Sequence, residues 1–226
     1  MTTTLITGAN RGLGLETARR LVDAGHTVYA GMRDLASAAE VRRHGAHPVQ
    51  LDVTDQRSVD RALAGLPELD VLVNNAGVLG RSFGVDDLDV AAVQQVFDTN
   101  VLGIVRLTQA ALALLRDSAN PVIVNVASGV GFARALSTPG SDEYAVRGVP
   151  YACSKAAVIA LTVQYAKSLP GFRINASDPG YTSTDFNRHT GHQTVTEGTD
   201  ATVMLARLGP DGPTGQFFDR AGRIEY

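Results

Sequence analysis

Cysteine is almost missing from this sequence: Cys153 is the only one, which excludes an internal disulfide framework and any cysteine-rich metal site. Long apolar runs are missing too, since no stretch approaches the roughly 18 residues that suggest a membrane-crossing helix. The opening MTTTLITG has neither the basic nor the apolar region of a secretory leader, so the chain is expected to be a soluble, cytoplasmic protein. There is no large charge excess of either sign, with 23 acidic against 20 basic side chains and a net charge of −3. That balance argues against a nucleic-acid or anionic-membrane partner, because such proteins usually present a basic face. Low-complexity segments are absent, and 44% of the 226 residues are hydrophobic, which excludes a disordered chain. With neither a linker nor an internal repeat, residues 1–226 read as one domain.

What is present is an alternation of short β-branched runs and longer amphipathic stretches, the pattern of βαβ units on a parallel sheet. Strands are predicted at 3–7, 27–30, 48–51, 69–73, 122–126, 173–176 and 215–218. Helices are predicted at 15–24, 35–43, 56–64, 90–97, 101–115, 150–167 and 199–208. Gly25 stops the first helix, Asp55 or Thr54 caps the third, and Pro150 sits well in the first turn of the sixth. Between Ser128 and Pro150 the pattern gives way to Gly, Ser, Pro and Arg, so 130–149 is expected to be an active-site loop insertion.

Thr7-Gly8-Ala9-Asn10-Arg11-Gly12-Leu13-Gly14 lies between the first strand and the first helix. Glycines there let the backbone approach a pyrophosphate, and the helix N-terminus supplies N–H donors for it. The spacing is not the usual G-x-G-x-x-G, and a turn that merely closes a βα unit would look similar. Gly8, Asn10, Arg11, Gly12, Leu13 and Gly14 are the candidate phosphate-binding residues. The second strand ends at Met32 and Arg33, where a NAD site would carry an acid for the ribose 2′-hydroxyl. Arg33 and Arg11 suit a 2′-phosphate instead, so NADPH (NADP+) is the expected cofactor. Asp34 competes with that reading, but it is placed to cap the next helix.

Tyr151 and Lys155 are four apart near the start of a predicted helix and share a face. A neighbouring ammonium favours a phenolate and makes tyrosine usable for proton transfer near neutral pH. Alone, Y-x-x-x-K occurs by chance in many helices. Together with the Thr7–Gly14 turn, Asn74-Asn75-Ala76-Gly77, Asn100, Ser128 and Pro179-Gly180, it makes the chain resemble the short-chain dehydrogenase/reductase family along essentially its whole length. The tail and the extra residues before Tyr151 look most like the carbonyl-reductase branch.

The resemblance implies a single-domain α/β Rossmann fold, a doubly wound parallel sheet with helices on both faces. It implies that Tyr151 donates a proton to a carbonyl oxygen that Ser128 also hydrogen-bonds. Lys155 would hold the nicotinamide ribose and lower the tyrosine pKa, and Asn100 would hold a water leading to Lys155. Asp52 and Val53 would flank the adenine, with Asn75, Ala76 and Gly77 on the adenosine ribose side. Pro179, Gly180, Thr182 and Thr184 would cover the nicotinamide and pyrophosphate. The implied reaction is reduction of a ketone or aldehyde by NADPH, or its reverse. A non-catalytic NADPH sensor is the competing class, although the retention of Asn100, Ser128, Tyr151 and Lys155 favours an enzyme.

Taken singly, Ser128 reads as an N-cap or turn serine and Asn100 as a helix cap. Phe83, Phe132, Tyr144, Tyr181 and Phe186 are candidate pocket walls, chosen as aromatics in the segments after strands. Cys153 is expected to pack away from the site, and His189 and His192, lacking acidic or cysteine partners at ligand spacing, to be exposed without metal. Ser128 and Tyr151 are further apart than is usual in the family, which leaves monomer and homo-oligomer both open. Asp178 stands before Pro179-Gly180, where small or polar residues are more usual, with no partner visible in the sequence.

Overall fold

The computed structural model describes residues 1–81, 84–86 and 88–225. The chain runs β1 (Thr3–Thr7), α1 (Gly12–Asp23), β2 (Thr27–Met32), α2 (Ala39–Arg43), β3 (His47–Gln50), α3 (Gln56–Ala64) and β4 (Val71–Asn74). It continues through α4 (Val90–Phe97), a π-helical turn at Asp98–Leu102, α5 (Gly103–Asp117) and β5 (Val122–Val126). Two short helices, α6 (Ala133–Leu136) and α7 (Asp142–Ala145), precede the long α8 (Val149–Ser168). Then follow β6 (Arg173–Ser177), α9 (Val195–Gly198), α10 (Asp200–Ala206), β7 (Phe217–Asp219) and β8 (Gly222–Ile224).

Local chemistry sets the helix ends. Asp55 accepts from the Arg57 N–H at the start of α3, and Asp89 accepts from Ala91 and Ala92 at the start of α4, as carboxylates do at N-caps. Gly25, at φ +87°, ends α1 in the left-handed region that glycine reaches without strain.

The strands form one sheet in the order β3-β2-β1-β4-β5-β6-β7-β8. All pairings are parallel except β7 with β8. Side chains alternate between the two faces. Leu5, Leu72, Ile123 and Ile174 stand in register across β1, β4, β5 and β6 and pack with α3 and α5 through Leu63, Leu107 and Leu115. Ile6, Val73 and Val124 point the other way, onto Leu21 of α1 and Leu205 of α10. Each of these side chains that is fully buried contributes about 1.5–3 kcal/mol relative to exposure. The fold is the expected α/β layering with helices on both faces.

Three departures from the sequence reading are local. The helix expected over 35–43 is divided into a 3-10 turn at Leu35–Ser37 and α2. The helix expected from 101 is preceded by the π-helical turn, a feature frequent at functional sites. The last expected strand is followed by an antiparallel one, because Asp219 Oδ1 accepts from the N–H groups of Ala221 and Gly222 and turns the chain back.

Candidate active site

The order of the sheet reverses between β1 and β4, and parallel α/β sheets bind ligands in the crevice at such a point. A cleft of about 340 Å³ opens there. At one end is the turn from β1 to α1. Gly8 sits at φ +64° and Gly12 at φ +53°. A Cβ on Gly14 would lie 2.6 Å from Asn75 Nδ2 and 2.9 Å from Ala9 Cα, so helix and turn approach closely only with glycine there. Asn75 Nδ2 donates to Thr7 O (2.8 Å) and Gly8 O (3.2 Å), while Thr7 Oγ1 accepts from the N–H of Asn75 (3.0 Å) and of Ala76 (2.9 Å). These bonds fasten the end of β4 to the glycine turn and leave the α1 N-terminus facing the cleft. The group that such a turn suits is a pyrophosphate, and the residues present fit one.

The corner at the end of β2 is cationic. Met32 is buried at 1% exposure, Arg33 is exposed, and both line the cleft. Asp34 Oδ1 accepts from the Ala36 N–H at 2.9 Å, so its carboxylate caps the 3-10 turn as expected. Arg11 reaches across the cleft mouth to Asp185, 3.4 Å away, and Asp185 also meets His189 Nε2 at 2.8 Å. Asp52 is placed differently from the expectation. Its Oδ1 accepts from the N–H and hydroxyl of Thr54, and Val53 rather than Asp52 lines the cleft.

At the other end, α8 presents Tyr151, Ser154 and Lys155. The Tyr151 phenol and Ser128, which follows β5, face the same cleft, near enough for the serine to act on the phenol. Ser128 stands at the N-cap of the 3-10 turn Gly129–Gly131, its backbone oxygen accepting from the Gly131 N–H at 2.9 Å, but its side chain makes no cap bond and is left for the cleft. Lys155 is 4% exposed; its Nζ donates to Val126 O at 2.7 Å and lies 5.7 Å from the centroid of the Tyr151 ring. Asn100 comes from the π-helical turn. Its Nδ2 donates to Val78 O (2.9 Å) and Ser154 Oγ (3.0 Å), and its Oδ1 accepts from the Val78 N–H (2.8 Å). Asn100 therefore holds the strand exit after Gly77 beside α8. A Cβ on Gly77 would lie 3.5 Å from Asn100 Oδ1 and 3.7 Å from Lys155 Nζ, which places those two polar atoms around one point.

A buried polar chain supports this end. Asn74 Nδ2 donates to Asn125 Oδ1, Asn125 Nδ2 to Thr162 Oγ1, and Thr162 Oγ1 to Val158 O. The chain links β4 and β5 to α8, and buried networks with their donors and acceptors used hold elements in one arrangement.

Burial pushes the Tyr151 phenol well above its usual value, against the lowering effect of the neighbouring Ser128. Loss of solvent around the phenolate is the largest cause, and the negative charge of Asp178 adds to it. The phenol is held protonated. Burial lowers Lys155 to about 8, opposed by the negative charge of Asp178.

Of the expected wall residues, Tyr181 and Phe186 line the cleft, and the Phe186 ring lies 5.7 Å from that of Tyr151. Phe132 turns instead onto Phe217 in the core, and Tyr144 is exposed outside the cleft. Phe83 lies outside the described residues. Cys153 is exposed rather than packed, and it does not line the cleft. The remaining expected residues, including Leu13, Pro179, Gly180, Thr182 and Thr184, line the cleft. Sequence reasoning does not single out Ser154, Asp185 or Val146. Ser154 follows from helix spacing, three residues beyond Tyr151, but Asp185 and Val146 carry no local signal. Among the described residues no group of three or more His, Cys, Asp or Glu could hold a metal ion. Nor is any described helix long and apolar enough to cross a membrane.

The family model for short chain dehydrogenases matches residues 2–194. A short-chain dehydrogenase/reductase from Saponaria officinalis is 32% identical over an alignment of 283 residues, covering 96% of this chain and 93% of the relative. That alignment is longer than the chain, so the relative carries segments that this one lacks. A cis-4-hydroxycyclohexanecarboxylate dehydrogenase from Sinomonas cyclohexanicum is 37% identical over 80% of this chain and 73% of its own. The structure of salutaridine reductase from Papaver somniferum superposes with a TM-score of 0.83 at 26% identity, covering 97% of this chain and all of that one. A glycine turn at the sheet's reversal, a serine and a tyrosine on one cleft wall, and a family match over most of the length agree: this chain belongs to the short-chain dehydrogenases.

Proposed function

We propose that this chain is an NADPH-dependent reductase of ketones and aldehydes, reversible as an alcohol dehydrogenase, with Tyr151 as the proton donor. The observation that carries the reading is the placing of Ser128 and Tyr151 together on the wall of the cleft, beside the buried ammonium of Lys155. When bound, the nicotinamide supplies the hydride. The protein does the rest. The N–H groups of the glycine turn, from Gly8 to Gly14, and the α1 terminus hold the pyrophosphate. Arg11 and Arg33 hold the 2′-phosphate, an assignment supported by Asp34 serving as a cap beyond the end of β2. Asn75, Ala76 and Gly77 line the adenosine ribose side, and Pro179, Gly180, Thr182 and Thr184 cover the other.

Charge develops on one oxygen as the carbonyl is reduced, and two hydroxyl donors aimed at that oxygen stabilise it. Tyr151, kept protonated by burial, gives its proton to that oxygen. Lys155 holds the nicotinamide ribose and keeps positive charge beside the phenol, while Asn100 positions a water through which Lys155 regains protons. Val130, Val146, Tyr181 and Phe186 make the carbonyl end apolar, which suits an uncharged substrate. The name of the relative acting on a hydroxycyclohexane carboxylate supports cyclic alcohols and ketones as the class to try, in either direction.

The test is oxidation of NADPH against a panel of cyclic and aromatic ketones, diketones, quinones and aldehydes, with NADH in parallel. The expected result is turnover with NADPH, weaker with NADH. Tight NADPH binding with no carbonyl reduced would replace the reading with a nucleotide-sensing role.

A further inference from the structure

Asp178 has the partner that the sequence does not reveal. The residue follows β6 and is only 9% exposed. Its own N–H donates to Phe218 O of β7 at 2.7 Å. Oδ1 accepts from the Gly180 N–H at 2.9 Å, and Oδ2 packs against Gly129, whose N–H acts on the carboxylate. Gly129 is the neighbour of Ser128, and Gly180 belongs to the turn that covers the cleft. One carboxylate thus joins two turns that leave different strands. A second carboxylate meets it from the 130–149 segment: a Cβ on Gly129 would lie 2.9 Å from Asp178 Oδ2 and 2.7 Å from Glu143 Oε1 of α7. Asp219 of β7 adds a further negative charge, and Tyr151 and Lys155 of α8 lie within the field of Asp178.

We propose that Asp178 is a positioning residue for the carbonyl chemistry: its carboxylate clamps the Ser128 turn to the Pro179-Gly180 turn and so sets Ser128 against Tyr151. This rests on the reductase reading of the site. Hydrogen bonds from N–H groups to a carboxylate are roughly twice as strong as neutral ones, so protonation of Asp178 weakens the clamp. Burial and the facing carboxylates of Glu143 and Asp219 raise the pKa of Asp178. The clamp is therefore lost, as pH falls, above the usual carboxylate range. The charge of Asp178 also raises Lys155 and Tyr151, so its removal draws both down.

The experiment compares the full chain with Asp178→Asn and Glu143→Gln by amide exchange and by pH profile. In Asp178→Asn, protection of the Gly129 and Gly180 amides falls, and kcat drops about tenfold or more, the size of one lost hydrogen bond to an ion. NADPH Kd changes less than about threefold, and the alkaline limb of kcat/KM moves to lower pH. In Glu143→Gln, basal turnover stays, and the pH at which Gly129 protection and activity are lost moves down. Unchanged amide protection in Asp178→Asn overturns the clamp, as do pH limbs that stay in place in both variants. If Asp178→Asn does not fold, the acid shift in Glu143→Gln decides alone. If the unaltered protein reduces no carbonyl, the reductase reading fails while the exchange measurements still decide the clamp.

Discussion

The two ends of the cleft are built from different materials. The phosphate end is backbone: glycines at positive φ, a helix terminus, and an asparagine whose bonds go to the main chain. Its charged groups, Arg11 and Arg33, are exposed. The carbonyl end is buried side chains, with Asn100, Ser154, Lys155 and Asp178 each tied to named partners. A backbone cradle holds a constant group and tolerates change around it. A buried polar cluster holds reacting atoms in place, and each member depends on the others. The difference predicts that changes at one end alter binding and changes at the other alter turnover.

Tyr151→Phe should lower kcat by about 10²–10⁴-fold, the range for loss of a general acid, with NADPH binding nearly intact. Full activity in that variant would remove the proton donor from Tyr151. Replacing Arg11 and Arg33 by alanine should raise the NADPH Kd by about 10–100-fold, since hydrogen bonds to charged groups contribute on the order of 1.5–3 kcal/mol. The NADH Kd should hardly move; equal losses for both would mean that the arginines do not read the 2′-phosphate. Asp185→Asn frees Arg11 from its exposed partner. Such pairs contribute about 0–1 kcal/mol, so NADPH binding should tighten by no more than about fivefold by titration, with kcat unchanged.

The same division governs what the sequence reveals. The phosphate end is contiguous, so Gly8, Gly12 and Gly14 are legible from spacing, and Asp34 and Asp55 from their place before helical turns. At the carbonyl end the motif residues Ser128, Tyr151 and Lys155 are legible, but their electrostatics are not. The raised phenol of Tyr151 comes from burial that only the assembled sheet and α8 create. Asp178 looks like an oddity in the sequence because its partners, Gly129 and Glu143, lie 35 or more residues earlier. Phe132 reads as a pocket residue because it is aromatic and follows a strand. The core residue that claims it, Phe217, comes from the last strands of the sheet. Val146 and Asp185 reach the cleft through irregular segments with no periodicity to read.

Whether the two ends act separately is open to direct measurement. It takes a cycle of Tyr151→Phe, Arg33→Ala and the double variant, each followed by NADPH titration and single-turnover hydride transfer. The double variant should bind NADPH like Arg33→Ala and transfer hydride like Tyr151→Phe, with coupling below about 0.5 kcal/mol, as for independent sites. A larger coupling, or a Tyr151→Phe variant that loses NADPH as Arg33→Ala does, would contradict that separation.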